Sequence, residues 1–395
     1  MTTGTVIAVT DSYADVRFPG DAPAPGRALR VARAGGPLLL EVEERLAGGV
    51  ARCALLGPAA GVQTGARVAD TGGPLSVPVG PALLGRVIDL AGEPLDGRPP
   101  LDDAPRRPIG LRAPAGAKGG LLETGIKVID LLAPIPRGGA AGIFAPPRAG
   151  KLVVMTELVQ RMARLGGAAV FVGSEARTYE VTDLMRSMAD SGLSGGVAMV
   201  FARVDDPPAV ASRAALAGLT VAEEAAERGA PALLFLDREL VEPAEIGLLA
   251  AALGPGVTLI VHGPPTDDPG PLDALIRCDP ALGERRLWPA VDRLAAASQL
   301  LDGLGANHRA AATAARELLR RAGEPALARR AELLERYLTQ PFFCAEEYTD
   351  IPGEYVPAAT TVRDVAAICA GAYDRLDPAA LQFVGAIEAD LASAR

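Results

Sequence analysis

Ala145-Pro146-Pro147-Arg148-Ala149-Gly150-Lys151-Leu152 joins an apolar strand-like run, Gly142-Ile143-Phe144, to a helix-like run from Lys151 to about Arg164. A glycine-rich turn at such a junction lets successive backbone N–H groups curl around phosphate oxygens. A lysine then meets the β and γ phosphates, and a following Ser or Thr hydroxyl holds Mg²⁺. Only Gly150 and Lys151 keep that pattern here. Ala145 stands where the first glycine belongs, Pro146 and Pro147 each lack an N–H donor, and Leu152 carries no hydroxyl. Taken alone, the pair Gly150-Lys151 after a proline-rich turn also describes an ordinary strand-to-helix connection.

The elements that must position this loop are legible on both sides of it. Residues 3 to 76 read as short strands, for example Gly4 to Val9, Ala14 to Phe18, Pro37 to Glu43 and Val50 to Leu56, separated by Gly, Pro and Asp turns. Such spacing predicts a small β-barrel or compact sheet. From about Val77 the texture changes. Ala168 to Val172, Gly196 to Phe201, Ala232 to Leu236 and Val257 to Val261 are short apolar runs with helical patterns between them, which predicts a mainly parallel sheet buried on both faces. After roughly Ala306, Ala-, Leu-, Arg- and Glu-rich segments predict helices. The expected organisation is therefore a multidomain α/β chain: an N-terminal β-barrel over residues 1–76, a central nucleotide-type α/β domain over 77–306 and a C-terminal helical domain over 307–395.

Composition narrows the function classes. The 395 residues suffice for two or three domains with a substantial core. A net charge of -9 argues against a non-specific nucleic-acid surface. Cys53, Cys278, Cys344 and Cys369 lie too far apart for a C-x-x-C pair or a metal cluster, and read as small apolar residues of a reducing compartment. His262 and His308 stand alone, with no metal pattern beside them, and read as turn or surface residues. No stretch is apolar for long enough to span a bilayer and no basic leader precedes an apolar segment, so the expectation is a cytoplasmic protein that reaches the inner face of the membrane only through a larger complex.

The block from Leu84 to Gly97, Leu-Gly-Arg-Val-Ile-Asp-Leu-Ala-Gly-Glu-Pro-Leu-Asp-Gly, and the segment Glu123-Thr124-Gly125-Ile126-Lys127-Val128-Ile129-Asp130-Leu131-Leu132-Ala133-Pro134 resemble the beta subunit of F-type rotary ATP synthases. The resemblance continues through Asp206-Pro207-Pro208, Leu216 to Glu223, and Trp288-Pro289-Ala290-Val291-Asp292. It closes in Gln340-Pro341-Phe342-Phe343-Cys344-Ala345-Glu346, Tyr373-Asp374 and Val384 to Glu388, all in family order. It implies a RecA-like P-loop domain in the middle, ATP or ADP with Mg²⁺ as ligand, alternation with alpha-like subunits around a gamma-like central shaft, and an arginine supplied by the alpha neighbour.

Carried over residue by residue, the resemblance gives Gly150 and Lys151 to the phosphates, Asp237 to the phosphates and the Mg²⁺ side, and Trp288 and Tyr348 to the base. Asp237 has a second reading, as the cap of the element that follows its strand. The position of Leu152 is a Mg²⁺-ligating Thr in the family, and that of Val241 an arginine close to the phosphates. Ala176 stands where a glutamate polarises the attacking water. The neighbouring Glu175 could take that role only if the loop is shifted by one residue, and Arg177 matches an arginine on the phosphate side. Gly323 and Pro325 make a short break between C-terminal helices where the family has a long lever against its shaft.

Two functions follow. One is a beta-like subunit of a rotary ATP synthase head, with weak nucleotide binding and impaired chemistry. The other is a non-catalytic structural or regulatory paralogue. A third, an unrelated P-loop kinase, leaves the terminal blocks unexplained.

Overall fold

In the computed structural model the described residues are 2–34, 36–111, 118–174, 186, 189–190, 192, 194–203, 205–254 and 256–387. The N-terminal part is a closed antiparallel barrel of β1 (Thr3–Val9), β2 (Tyr13–Arg17), β3 (Arg27–Val31), β4 (Leu38–Leu46), β5 (Val50–Leu55) and β6 (Arg67–Pro74), in the order β1-β2-β5-β4-β3-β6. Alternate residues such as Val6, Val16, Leu29, Leu40, Cys53 and Val68 fill its interior. Closure leaves no unpaired strand edge. A short ribbon of β7 (Ser76–Pro78) and β9 (Arg106–Pro108) follows, with β8 (Val87–Ile88) between them in sequence.

The central sheet adds β10 (Ala140–Phe144), β11 (Ala168–Ser174), β12 (Val197–Ala202), β13 (Ala232–Asp237), β14 (Val257–Gly263), β15 (Ala274–Arg277) and β16 (Ala297–Ser298). With β8 it forms eight strands in the order β16-β15-β10-β14-β13-β11-β12-β8, parallel except for the last pairing of β15 with β16. Period-2 alternation sends Ile143, Phe171 and Phe235 to one face and Phe144, Val172 and Leu236 to the other, and both faces are buried. Phe171 and Phe235 stack with centroids 4.3 Å apart.

Helices cover each face. On the first lie α1 (Lys127–Leu132) and α2 (Lys151–Arg164); on the second lie α3 (Pro208–Glu227) and α4 (Pro243–Ala252). After α5 (Pro280–Glu284) the C-terminal part packs on the α2 side through α6 (Ala306–Arg320), α7 (Pro325–Tyr337), α8 (Glu346–Thr349) and α9 (Ala358–Cys369). The three-part α/β architecture expected from the sequence is present. The break between α6 and α7 is a turn of four residues. His262 departs from expectation: it lies in β14 and is buried, because its strand is covered on both sides.

Candidate functional site

The loop between β10 and α2 runs along the C-terminal edge of the sheet, where open parallel sheets place their ligands. Helix α2 starts at Lys151, as its sequence predicts. Gly150 caps it in the left-handed region at φ 86, and Trp288 Cζ3 lies only 2.6 Å from where a Cβ would stand, so both backbone and space demand glycine. The loop keeps little donor capacity. Ala145 N already donates to Gly263 O at 3.2 Å and Ala149 N to Pro146 O at 3.3 Å, while Pro146 and Pro147 have no N–H. Lys151 is half-buried and lies near Cys278, whose thiol it pulls down; burial outweighs that pull and holds the thiol up at about 12.

Asp237 is buried at the end of β13, two strands from β10. Its Oδ1 accepts from Glu239 N at 3.0 Å, capping the short 3₁₀ turn that follows. Val241 is buried in the apolar core of the α3 side. Sequence reasoning overlooked Arg238. It brings a cation to this edge, with Nη1 donating to Val241 O at 2.7 Å and Nε buried without a hydrogen-bond partner among the described residues. Glu175, Ala176 and Arg177 lie outside the described residues.

Beside the loop opens a cavity of ≈ 380 Å³, within the range of small-molecule sites. Gly150 of the loop, Leu152 and Val153 from α2, Trp288 and Pro289, Phe342 and Ala345, and Tyr348 and Ile351 make most of its wall. Trp288 lies between Gly150 and Gly283, whose hypothetical Cβ atoms would both collide with the indole. Tyr348 is 79 % exposed and lines the mouth. The structure thus gathers Gly150, Trp288 and Tyr348 on one wall, with Leu152 in place of a hydroxyl. Phe342 belongs to the same wall. Its place in the Gln340–Glu346 block was visible in the sequence, but its contact with the cavity was not.

A buried polar frame holds this wall. Gln340 Nε2 donates to Gly125 O at 2.7 Å and its Oε1 accepts from Lys127 N at 2.9 Å. Lys127 Nζ donates to Val384 O at 2.6 Å and sits over the Tyr337 ring. On α2, Arg161 pairs with Glu157 at 2.6 Å and donates to Thr124 O at 3.1 Å and Glu354 O at 2.8 Å. Glu157 Oε2 accepts from Cys344 N at 3.0 Å, beside the cavity. Phe342, Phe343 and Tyr355 present their rings to the Arg161 guanidinium. Asp130 is fully buried and accepts from Thr124 N, Thr124 Oγ1 and Gly125 N. Burial pushes its carboxyl up to about 7 against those three donors.

Residues 125–244 match the model of the ATP synthase alpha/beta family, nucleotide-binding domain. Over that segment, less than a third of the chain, the protein carries a nucleotide-binding domain of this family. The match runs from Gly125 through the loop and α2 to the start of α4, and takes in Gly150, Lys151 and Asp237. Trp288, Phe342 and Tyr348 lie beyond it.

Proposed function

We propose that the chain is a beta-like subunit of an F-type rotary ATP synthase head, holding adenine nucleotide weakly and performing slow, impaired ATP chemistry. One observation carries this reading: an apolar cavity walled by Trp288, Phe342 and Tyr348 opens directly beside Gly150 of the loop, while Pro146 and Pro147 bring no N–H to that loop and Leu152 no metal-binding hydroxyl. A flat purine suits the aromatic wall. The ligand is ATP or ADP, with Mg²⁺ on the side of Asp237. That carboxylate would be the protein's contribution to the ion, which binds through one or two carboxylates plus phosphate oxygens.

The barrel and the C-terminal helices flank the nucleotide domain as they would in a ring alternating with alpha-like subunits around a gamma-like shaft. Among the described residues no helix is long and apolar enough to cross a membrane. Membrane association would then run through that complex. The second reading, a non-catalytic structural or regulatory paralogue, is favoured by Val241, which is committed to the core where a cation is needed. Single-turnover hydrolysis with saturating Mg-ATP, measured for the chain alone and with its genomic alpha-like partner, separates the two. Measurable Mg-ATP turnover in the complex supports the first, and its absence with assembly retained supports the second.

A further inference from the structure

We propose that a second cavity, further along α2 from the loop, binds a primary ammonium group, brought by a small alkylamine or by a lysine side chain of a partner protein. The amine site uses no residue of the phosphate loop.

Residues four apart on a helix share a face, so Thr156, Gln160 and Arg164 form one stripe of α2. Thr156 borders the cavity beside Gly150, whereas Gln160 and Arg164 border the second, of ≈ 220 Å³. Cys344 and Tyr348 line both. The first is walled almost entirely by apolar groups; the second adds Asp190, Glu346 and Glu347 to Gln160 and Arg164. Pockets for whole ligands run to about 300–1,000 Å³, so this smaller space suits a head group.

Gln160 is 8 % exposed, and its Oε1 is buried without a hydrogen-bond partner among the described residues. A buried acceptor is costly when no donor reaches it, and folded proteins normally satisfy such groups. Because Gln160 lines the cavity, a donor seated there would satisfy it. The carboxylates select which donor. Asp190 and Glu347 are exposed, and Glu346 Oε1 accepts from Gly353 N at 2.7 Å. One cation stands against these three: Arg164, whose guanidinium lies over the Phe343 ring, 3.7 Å from its centroid. Arg161 approaches the same ring at 5.1 Å, but its charge is balanced by Glu157. The cavity is therefore negative. Its carboxylates do not converge as a metal site, since among the described residues no three His, Cys, Asp or Glu side chains are grouped to hold an ion. An ammonium carries positive charge and three N–H donors on one compact head, and so meets both the amide and the carboxylates.

Calorimetry on the full chain, without nucleotide and at low ionic strength where exposed charges are least screened, tests this. The probes are butylamine, Nα-acetyl-lysine amide, butyltrimethylammonium and butanol. At least one primary amine should bind about tenfold or more tighter than the quaternary amine, which has charge without N–H, and than the alcohol, which has N–H neither nor charge. Tighter binding of butylamine assigns the site to a free amine; tighter binding of the lysine amide assigns it to a partner's side chain. Gln160→Leu should weaken the amine about tenfold or more, while the free chain keeps or gains thermal stability because an unsatisfied acceptor has gone. Glu347→Gln, at an exposed position, should weaken it about two- to fivefold. Arg164→Gln removes a like charge and should strengthen it. Weaker binding in Arg164→Gln would make the guanidinium a ligand-holding group and overturn the proposal. So would equal binding of the quaternary amine, unchanged affinity or lost stability in Gln160→Leu, or no binding of either primary amine.

Discussion

The two ends of the candidate site offer a ligand different things. At the base end, aromatic residues from three separate segments, Trp288, Phe342 and Tyr348, converge on one cavity and are backed by buried hydrogen bonds. At the phosphate end, the loop keeps the left-handed Gly150, Lys151 and the helix start, but Pro146 and Pro147 carry no N–H and Leu152 no hydroxyl. A turn survives on backbone geometry alone, since φ 86 at Gly150 and the contact with Trp288 hold it in place. Phosphoryl transfer needs charges placed to a fraction of an ångström, and the side chains of Leu152 and Val241 supply none.

The largest expected effect of that contrast is on turnover. Losing one well-placed electrostatic group typically costs about 2.7–4 kcal/mol of transition-state stabilisation. With the Leu152 and Val241 positions both changed, single-turnover hydrolysis of saturating Mg-ATP should stay at least about a hundredfold below the ~10 s⁻¹ of a median enzyme. Hydrolysis near that median which disappears on Lys151→Ala would break the comparison at its phosphate end.

Next in size is the frame behind the base end. Glu157 and Arg161 are spaced i,i+4 on α2, a pattern that on a surface helix is worth only a few tenths of a kcal/mol. Here their side chains are 0 % and 3 % exposed. Glu157→Ala leaves the guanidinium buried without its carboxylate and Cys344 N without its acceptor. A loss of about 3–5 kcal/mol in urea unfolding is expected. A loss under about 1 kcal/mol would show that the frame contributes nothing beyond a surface pair.

What could be read from the chain follows the same physical division. Local signals carried the helix from Lys151 to Arg164 and the strand runs at 168, 232 and 257, because each has a strong period and a clear boundary. The barrel strands Arg27–Val31 and Arg67–Pro74 are not individually marked in the sequence: in the second, Thr71, Gly72 and Gly73 interrupt the alternation, and its place is set by pairing with β1 and β3. Strands β15 and β16 are short and depend on the neighbours beside them. Within the site, Gly150, Lys151, Asp237, Trp288 and Tyr348 were named from the sequence. Asp237 serves as a cap, the second of its two readings, and any metal role would be in addition to that. Arg161 and Gln340 were invisible as frame residues because their partners, Thr124, Gly125, Lys127 and Glu354, are distant along the chain.

The same frame predicts a pH dependence. Asp130, beneath the segment that Gln340 grips, sits at about 7 in the folded protein, against about 4 for an ordinary carboxyl. Between those values the folded state holds a proton that the unfolded chain has released, so stability falls as pH rises from about 4 to about 7 and levels off above. The slope from this group is at most about 1.4 kcal/mol per pH unit. Denaturation at pH 5, 6 and 7.5 should show the decline, and Asp130→Asn should flatten it even though the amide cannot reproduce all three hydrogen bonds and lowers stability throughout. An unchanged slope in Asp130→Asn would assign the dependence elsewhere.

The smallest effect is the sharpest test of why the phosphate end fails. Leu152→Thr restores the missing hydroxyl at the start of α2 and nothing else. If the hydroxyl alone were limiting, Mg²⁺ would strengthen ATP binding by tenfold or more in this variant. The loop argues otherwise, since Pro146 and Pro147 still withhold two N–H groups and Ala145 and Ala149 keep theirs inside the protein. An ion held by one hydroxyl needs phosphate oxygens fixed beside it, and the proline-bearing half of the loop does not fix them. Leu152→Thr should therefore shift ATP affinity in Mg²⁺ by less than about threefold, read from Trp288 emission, with adenosine affinity unchanged. Adding Pro146→Gly and Pro147→Gly to it should produce a Mg²⁺-dependent preference for ATP over adenosine. That preference appearing with Leu152→Thr alone would place the whole deficit in one side chain, and the two ends would differ by a single substitution.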